Sequence, residues 1–303
     1  MAISRRAKFI RWLTGSYMQK LDVRTVPVTR AREHLEVAAR TLSRRALGVE
    51  TQPGELAGIE VDWLRPKGAH RDKILYYLHG GAYVIGSRGT HRKLVGHIAK
   101  AAGITAVVPE YRLAPEHPYP AAVEDAVAVY KELLASGFEP QDIIISGDSA
   151  GGGLSVATLL SLRHEGIPLP AAAVLISPFL DVTGSGESTT TRAERDPWFN
   201  IDDLVVVARY YCPDESQWHN PLVSPVFANV AGLPPMLIHV GDDEILLSDS
   251  TRFADKLQEA GVDVELEIWP EMWHVFQLFV GKMPESRRAI VKIGDYIRRT
   301  LSL

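Results

Sequence analysis

The sequence predicts an α/β protein: a mostly parallel central sheet flanked by helices, with a helical cap. Buried-strand runs alternate along the chain with helical stretches of ten or more residues, an order that places parallel strands under helices on both faces. The helical stretches also carry stop signals, since Gly103, Gly137, Gly166 and Gly261 each follow one. In addition, one strand runs through a glycine-flanked serine into a helix.

Taken in order, the stretch from Ala2 to about Arg45 is helical in pattern. Phe9, Ile10, Trp12, Leu13 and Met18 fall near one another on a helix, as do Ala31, Leu35, Ala38, Ala39 and Leu42. Ile59–Leu64 alternates like a half-buried strand, and Ile74–Leu78, Ile104–Val108, Ile143–Ile145, Ala172–Ile176 and Met236–Val240 are continuous apolar runs of the kind buried on both faces. Helices are expected at about 90–102, 121–136, 150–165 and 247–260, an alternating strand at 264–269, and a last helix from about Pro284 to Leu301. Residues 183–229 break the rhythm with glycines, prolines and a threonine run, and read as an insertion after a core strand. Within it a helix at 201–211 has Asn200 as N-cap and Asp203 as the acid three positions on. The expected organisation is N-terminal helices over 1–50 and an α/β domain over 51–303 that carries the insertion at about 183–229, the helices and the insertion together suited to form a cap or lid.

With 303 residues, 46% hydrophobic and 23% charged, the chain can bury a large core. A net charge of −4 offers nothing to nucleic acid or to an anionic membrane, so neither nucleic-acid binding nor stable membrane association is expected. Cys212 is the single cysteine, which excludes an intrachain disulfide and fits a cytoplasmic location. Ser4-Arg5-Arg6-Ala7-Lys8-Phe9-Ile10 looks like a twin-arginine export signal. Arg11, Lys20, Asp22 and Arg24 interrupt the apolar stretch that such a signal needs.

The chemistry starts at Gly147-Asp148-Ser149-Ala150-Gly151. A serine on a tight turn between strand and helix is an exposed nucleophile, and the helix start aims N–H groups and a positive dipole end at a developing oxyanion. Gly-x-Ser-x-Gly alone also fits a plain glycine-rich turn, so the rest of the chain has to decide. A serine nucleophile needs a base and the base an orienting acid. His274 lies in a short loop after a late strand, where loops converge on the carboxyl edge of a parallel sheet. Asp242, Asp243 and Glu244 follow the strand ending near Val240; each could orient the base or oppose a helix dipole. His79-Gly80-Gly81-Ala82 follows the strand 74–78, with small residues that let backbone N–H groups reach a substrate carbonyl oxygen.

With these motifs in place the chain resembles the hormone-sensitive-lipase-like group of α/β-hydrolases, the bacterial family IV esterases. The resemblance rests on His79-Gly80-Gly81-Ala82, on Tyr111-Arg112-Leu113-Ala114-Pro115-Glu116-His117-Pro118-Tyr119-Pro120-Ala121-Ala122, on Gly147–Gly151 and on Trp273-His274-Val275-Phe276. It implies an α/β-hydrolase fold and a serine carboxylesterase acting on short- to medium-chain acyl esters, with no metal or organic cofactor. The alternatives are an amidase or peptidase of the same fold and a non-catalytic small-molecule receptor. It further implies Ser149 as nucleophile, His274 as base, and an oxyanion hole of Gly80, Gly81, Ala82 and Ala150. The last three would supply N–H groups and Gly80 would shape the turn. Family members are often dimers, which leaves a homodimer open.

Two departures stand out. The family's usual fourth glycine is Ala82, which keeps its N–H unless the position needs positive φ. The usual acid is an aspartate in an Asp-x-Leu pattern about thirty residues before the histidine; here that spacing falls on Glu244, with Leu246 in register, and Asp243 is expected to brace the loop. Asp148, Tyr111, Arg112 and Glu116 are expected to be scaffold, with Arg112 paired to Glu116. Trp12, Trp198, Phe199, Tyr210, Tyr211 and Trp218 either line an acyl pocket or hold the cap down.

Overall fold

In the computed structural model of the chain, residues 3–18, 22, 24–42 and 45–303 are described. Ala2 and Lys20 lie outside the described residues, as do the side chains of Met18 and Leu42. Eight strands form one sheet: β1 (Val49–Leu56), β2 (Ile59–Pro66), β3 (His70–Leu78), β4 (Ile104–Pro109), β5 (Ile143–Asp148), β6 (Ala172–Ile176), β7 (Met236–Gly241) and β8 (Val264–Trp269). Their order is β1-β2-β4-β3-β5-β6-β7-β8, with β2 antiparallel to both its neighbours and every pair from β4 to β8 parallel.

The apolar runs are continuous because alternate side chains serve two different cores. Ile74, Tyr76, Leu78, Ile143 and Ile145 pack with α4 (Ala121–Ala135), α5 (Ala150–His164) and α8 (Leu247–Glu259). Leu75, Tyr77, Ile144, Val174 and Leu237 face the opposite way, onto α3 (Arg88–Ala102) and α9 (Pro284–Thr300). α3 starts at a Ser87/Thr90 capping box and stops at Gly103 in the left-handed region (φ 74°). Asn200 and Asp203 cap α7 (Ile201–Tyr211) reciprocally, as their spacing implies. α6 (Ser188–Thr191) is a single turn within the same insertion.

β1 is the element that the sequence pattern conceals. Its residues are largely polar and include Pro53 and Gly54, which suit an edge strand but not a buried one. It pairs with β2 through a hairpin at Ala57-Gly58, both at positive φ. The strand runs from Val49, so the sheet begins ahead of the boundary expected between residues 50 and 51.

The N-terminal helices dock near the carboxyl edge of the sheet. α1 (Arg5–Met18) buries Ala7 and Ile10 against Met272, Trp273, Phe276 and Phe279, the segment that carries His274. α2 (Val28–Leu42) is tied down by Arg32, which bonds the carbonyls of Val84 and Ala114 and pairs with Glu116 at 2.7 Å. Glu116 therefore does not pair with Arg112, contrary to the expectation from the motif. The Arg112 guanidinium bonds Asp125 at 2.7 Å and Glu124 at 3.1 Å, because α4 presents both acids to it. Among the described residues, no helix is long and apolar enough to cross a membrane.

Candidate active site

Ser149 sits between the end of β5 and the first residue of α5, at φ 53° and ψ −124°. Such a conformation is costly for a residue with a Cβ and persists only where the surroundings enforce it. Here the Ser149 N–H donates to the Ile176 carbonyl at 2.9 Å, and the Ser149 carbonyl accepts from Gly152 and Phe179 at 3.0 and 2.9 Å. The flanking glycines are steric requirements. A Cβ on Gly147 would lie 2.2 Å from the Gly151 carbonyl oxygen, and one on Gly151 would lie 2.0 Å from that of Leu78. The serine itself is half-buried and lines a cavity.

Behind the turn Asp148 is a buried brace. It accepts from the Tyr77 hydroxyl at 2.8 Å and the Gly80 N–H at 3.1 Å, and it lies 3.2 Å from His91 Nε2. Burial opposes its charge, but the His91 contact and the Tyr77 bond win, and its pKa falls below the ordinary carboxylate value. The Gly80 N–H is thus occupied, which leaves Gly80 a shaping role: a Cβ there would meet Asp148 Oδ2 at 2.3 Å. His79 Nδ1 faces the Gly80 carbonyl at 2.9 Å, its ring stacks on Tyr111 at 4.2 Å, and burial drives its pKa down to about 3. His79 is a neutral part of the scaffold.

Gly81 (φ 122°) and Ala82 (φ 56°) turn the chain after β3 along the cavity wall. Ala82 therefore occupies a left-handed position that glycine would take without strain. Among the described residues, the N–H groups of Gly81, Ala82 and Ala150 donate to no protein acceptor.

His274 and Glu244 are buried and meet, with Nδ1 2.8 Å from Oε2. Burial opposes the imidazolium, but the Glu244 bond and the charges of Glu244, Asp196 and Asp148 outweigh it and raise the His274 pKa above its ordinary value. The other Glu244 oxygen accepts from the Gly241 N–H and from the Ser177 hydroxyl, the latter at 2.8 Å. Ser177 Oγ in turn accepts the Val275 N–H at 3.2 Å. Ser177 has no signal in the sequence beyond its place directly after β6. Asp243 points elsewhere, to Arg11 of α1 at 2.6 Å and to Arg195 of the insertion.

One cavity of about 380 Å³ is lined by Ser149, His274, Gly81 and Ala82, with α1, α2 and the insertion contributing further wall. Of the six aromatics singled out in the sequence, Trp198 and Phe199 line it, and both stand edge-on to the His274 ring at 6.2 and 5.1 Å. The others do not line it. Tyr211 stacks on Tyr83 at 3.7 Å, Trp218 bonds the Cys212 carbonyl at 2.9 Å, Tyr210 packs on the core, and Trp12 is 70% exposed.

Residues 75–278 match the α/β hydrolase fold family. The chain belongs to that family. It is 44% identical over 250 residues to an acetyl-hydrolase of Streptomyces hygroscopicus, covering 81% of this chain and 83% of that protein. An esterase of Acinetobacter venetianus is 38% identical over 248 residues, covering 82% of each chain. The crystal structure of an esterase from the bacterial hormone-sensitive lipase family superposes with a TM-score of 0.91 at 40% identity, covering 99% of this chain and 100% of that one. Within the α/β-hydrolases the chain is a hormone-sensitive-lipase-like, family IV member, as its motifs imply.

Proposed function

We propose that the chain, a carboxylic ester hydrolase, works as a serine esterase in which Ser149 is the nucleophile, His274 the base and Glu244 the orienting acid. The observation that carries this reading is the 2.8 Å contact of His274 Nδ1 with Glu244, in a cavity shared with Ser149. A carboxylate on Nδ1 fixes that nitrogen as the donor and leaves Nε2 as the proton acceptor. Ser149 Oγ attacks the ester carbonyl as its proton passes to Nε2. The N–H groups of Gly81, Ala82 and Ala150 receive the oxyanion, and such donors are worth about 10²–10³ each in rate. The imidazolium protonates the leaving alkoxide, and water repeats the sequence on the acyl-enzyme. Helices α1 and α2 with the insertion 183–229 serve as the cap. A cytoplasmic location and a homodimer belong to the same proposal, the first supported by the lone, buried Cys212.

A cavity of about 380 Å³ supports short- to medium-chain acyl esters, because it lies at the small end of ligand pockets. A series of p-nitrophenyl esters from acetate to palmitate tests this: kcat/KM is expected to peak at eight carbons or fewer and to fall steeply beyond. A maximum at palmitate, or faster turnover of a matched anilide than of the ester, would contradict the reading.

A further inference from the structure

Asp196 belongs to none of the motifs and lies just outside the cavity wall, yet it is the acid of the insertion whose charge bears on His274. Oδ1 accepts the N–H groups of Trp198 at 2.8 Å and Phe199 at 3.1 Å. These bonds hold the two residues whose rings stand against the His274 imidazole. Oδ2 crosses 49 residues of sequence to accept the Ile245 N–H at 2.9 Å, one position after Glu244. A local turn would need only the first pair of bonds. The third joins the insertion to the loop that carries the acid.

The charge setting is also unusual. Among the described residues no cation pairs with Asp196. Arg192 is spent on Asp242, Arg11 on Asp243, and Arg195 on both of those acids. His274 favours the Asp196 charge and Glu244 opposes it, while Lys8, Arg11, Arg195, Glu194, Asp243 and Glu271 line the same open pocket. His274 in turn faces Glu244, Asp196 and Asp148. A half-buried carboxylate without a paired cation, held by backbone N–H groups, carries a desolvation cost that a neighbouring imidazolium offsets.

We propose that Asp196 is a positioning residue: it clamps the insertion to the Glu244 loop and, through its negative charge, raises the basicity of His274. The proposal rests on the assignment of His274 as the base. When the carboxyl is protonated, that support is withdrawn. Burial pushes the Asp196 pKa up to about 6, so the change falls where an esterase of this kind loses its base.

The test is Asp196→Asn. An amide can still accept from Trp198 and Phe199, but its NH2 then opposes the Ile245 N–H and the charge is gone. Active sites are first counted by fluorophosphonate labelling of Ser149 in both proteins. Failure of the wild type to label would sink the proposed function itself; labelling leaves the positioning role alone under test. Per labelled site, kcat is expected to fall about tenfold, and the acid limb of kcat/KM to move down by about half a pH unit as His274 becomes less basic. An acid limb at its wild-type position overturns the proposal, whatever happens to Tm, because a purely structural residue would change only the amount of active protein. Should the variant not fold, carboxyl ¹³C titration of the wild type decides instead. An Asp196 carboxyl shift that also follows the titration of His274 supports the proposal, and an Asp196 signal blind to the charge on His274 overturns it.

Discussion

At the scale of single residues, the site turns on which of two adjacent acids faces the imidazole. Glu244 is one methylene longer than the family's usual aspartate, and its second oxygen is anchored by Ser177 and Gly241. Asp243 is committed to Arg11 and Arg195. Glu244→Gln is therefore expected to lower kcat by about 10³–10⁴, through loss of imidazolium stabilisation and of the correct tautomer. Asp243→Asn should keep kcat within about tenfold, its cost appearing in stability. Steady-state rates on p-nitrophenyl acetate check the ranking, and the reverse order would move the acid to residue 243. The spacing from His274 pointed to Glu244 because a loop of fixed length delivers it. Ser177 and Asp196 had no such marker: their partners are 67 and 49 residues away, and nothing in a lone serine or an Asp-Pro pair announces a distant contact.

Among elements, what was legible is what periodicity controls. Strands β3 to β8 and helices α3 to α5 and α7 to α9 follow from apolar spacing and stop glycines, since each buries a face in one of two cores. β1 was not legible, because an edge strand needs no apolar run and its pairing comes from the Ala57-Gly58 hairpin. The Arg112–Glu116 pairing failed for a related reason. Proximity in sequence put the two together, whereas α2 and α4 each brought a closer partner. α1 is held to the His274 segment by a small apolar contact and to the Glu244 loop by the partly buried Arg11–Asp243 pair. Arg11→Ala should cost about 1–2 kcal/mol of stability, as loss of a partly buried charged hydrogen bond does. Thermal unfolding reads this as a Tm lower by a few degrees. An unchanged Tm would mean that the apolar face and the Ser4–Glu285 bonds hold α1 without the Arg11 pair.

For the whole molecule, the sheet gathers its chemistry at one edge. Loops after β3, β5, β6, β7 and β8 deliver Gly81–Ala82, Ser149, Ser177, Glu244 and His274 to the carboxyl ends of the strands. A parallel sheet does this by construction, which is why a linear order of motifs could specify a three-dimensional site. The electrostatics of the assembled site then set the working pH. With His274 as the proposed base, its raised pKa means that the neutral form is lost as pH falls through a value above the ordinary 6.5. The acid limb of kcat/KM is accordingly expected above that pH, and a limb well below it would show that the Glu244 and Asp196 charges do not reach the imidazole. The most direct measurement of the central claim is covalent: the folded protein is treated with a fluorophosphonate and the adduct located by peptide mass spectrometry. A single adduct on Ser149, absent in Ser149→Ala and slowed by about 10³ or more in His274→Ala, is the expected result. A folded protein that takes no label, or takes it at another residue, would contradict the account.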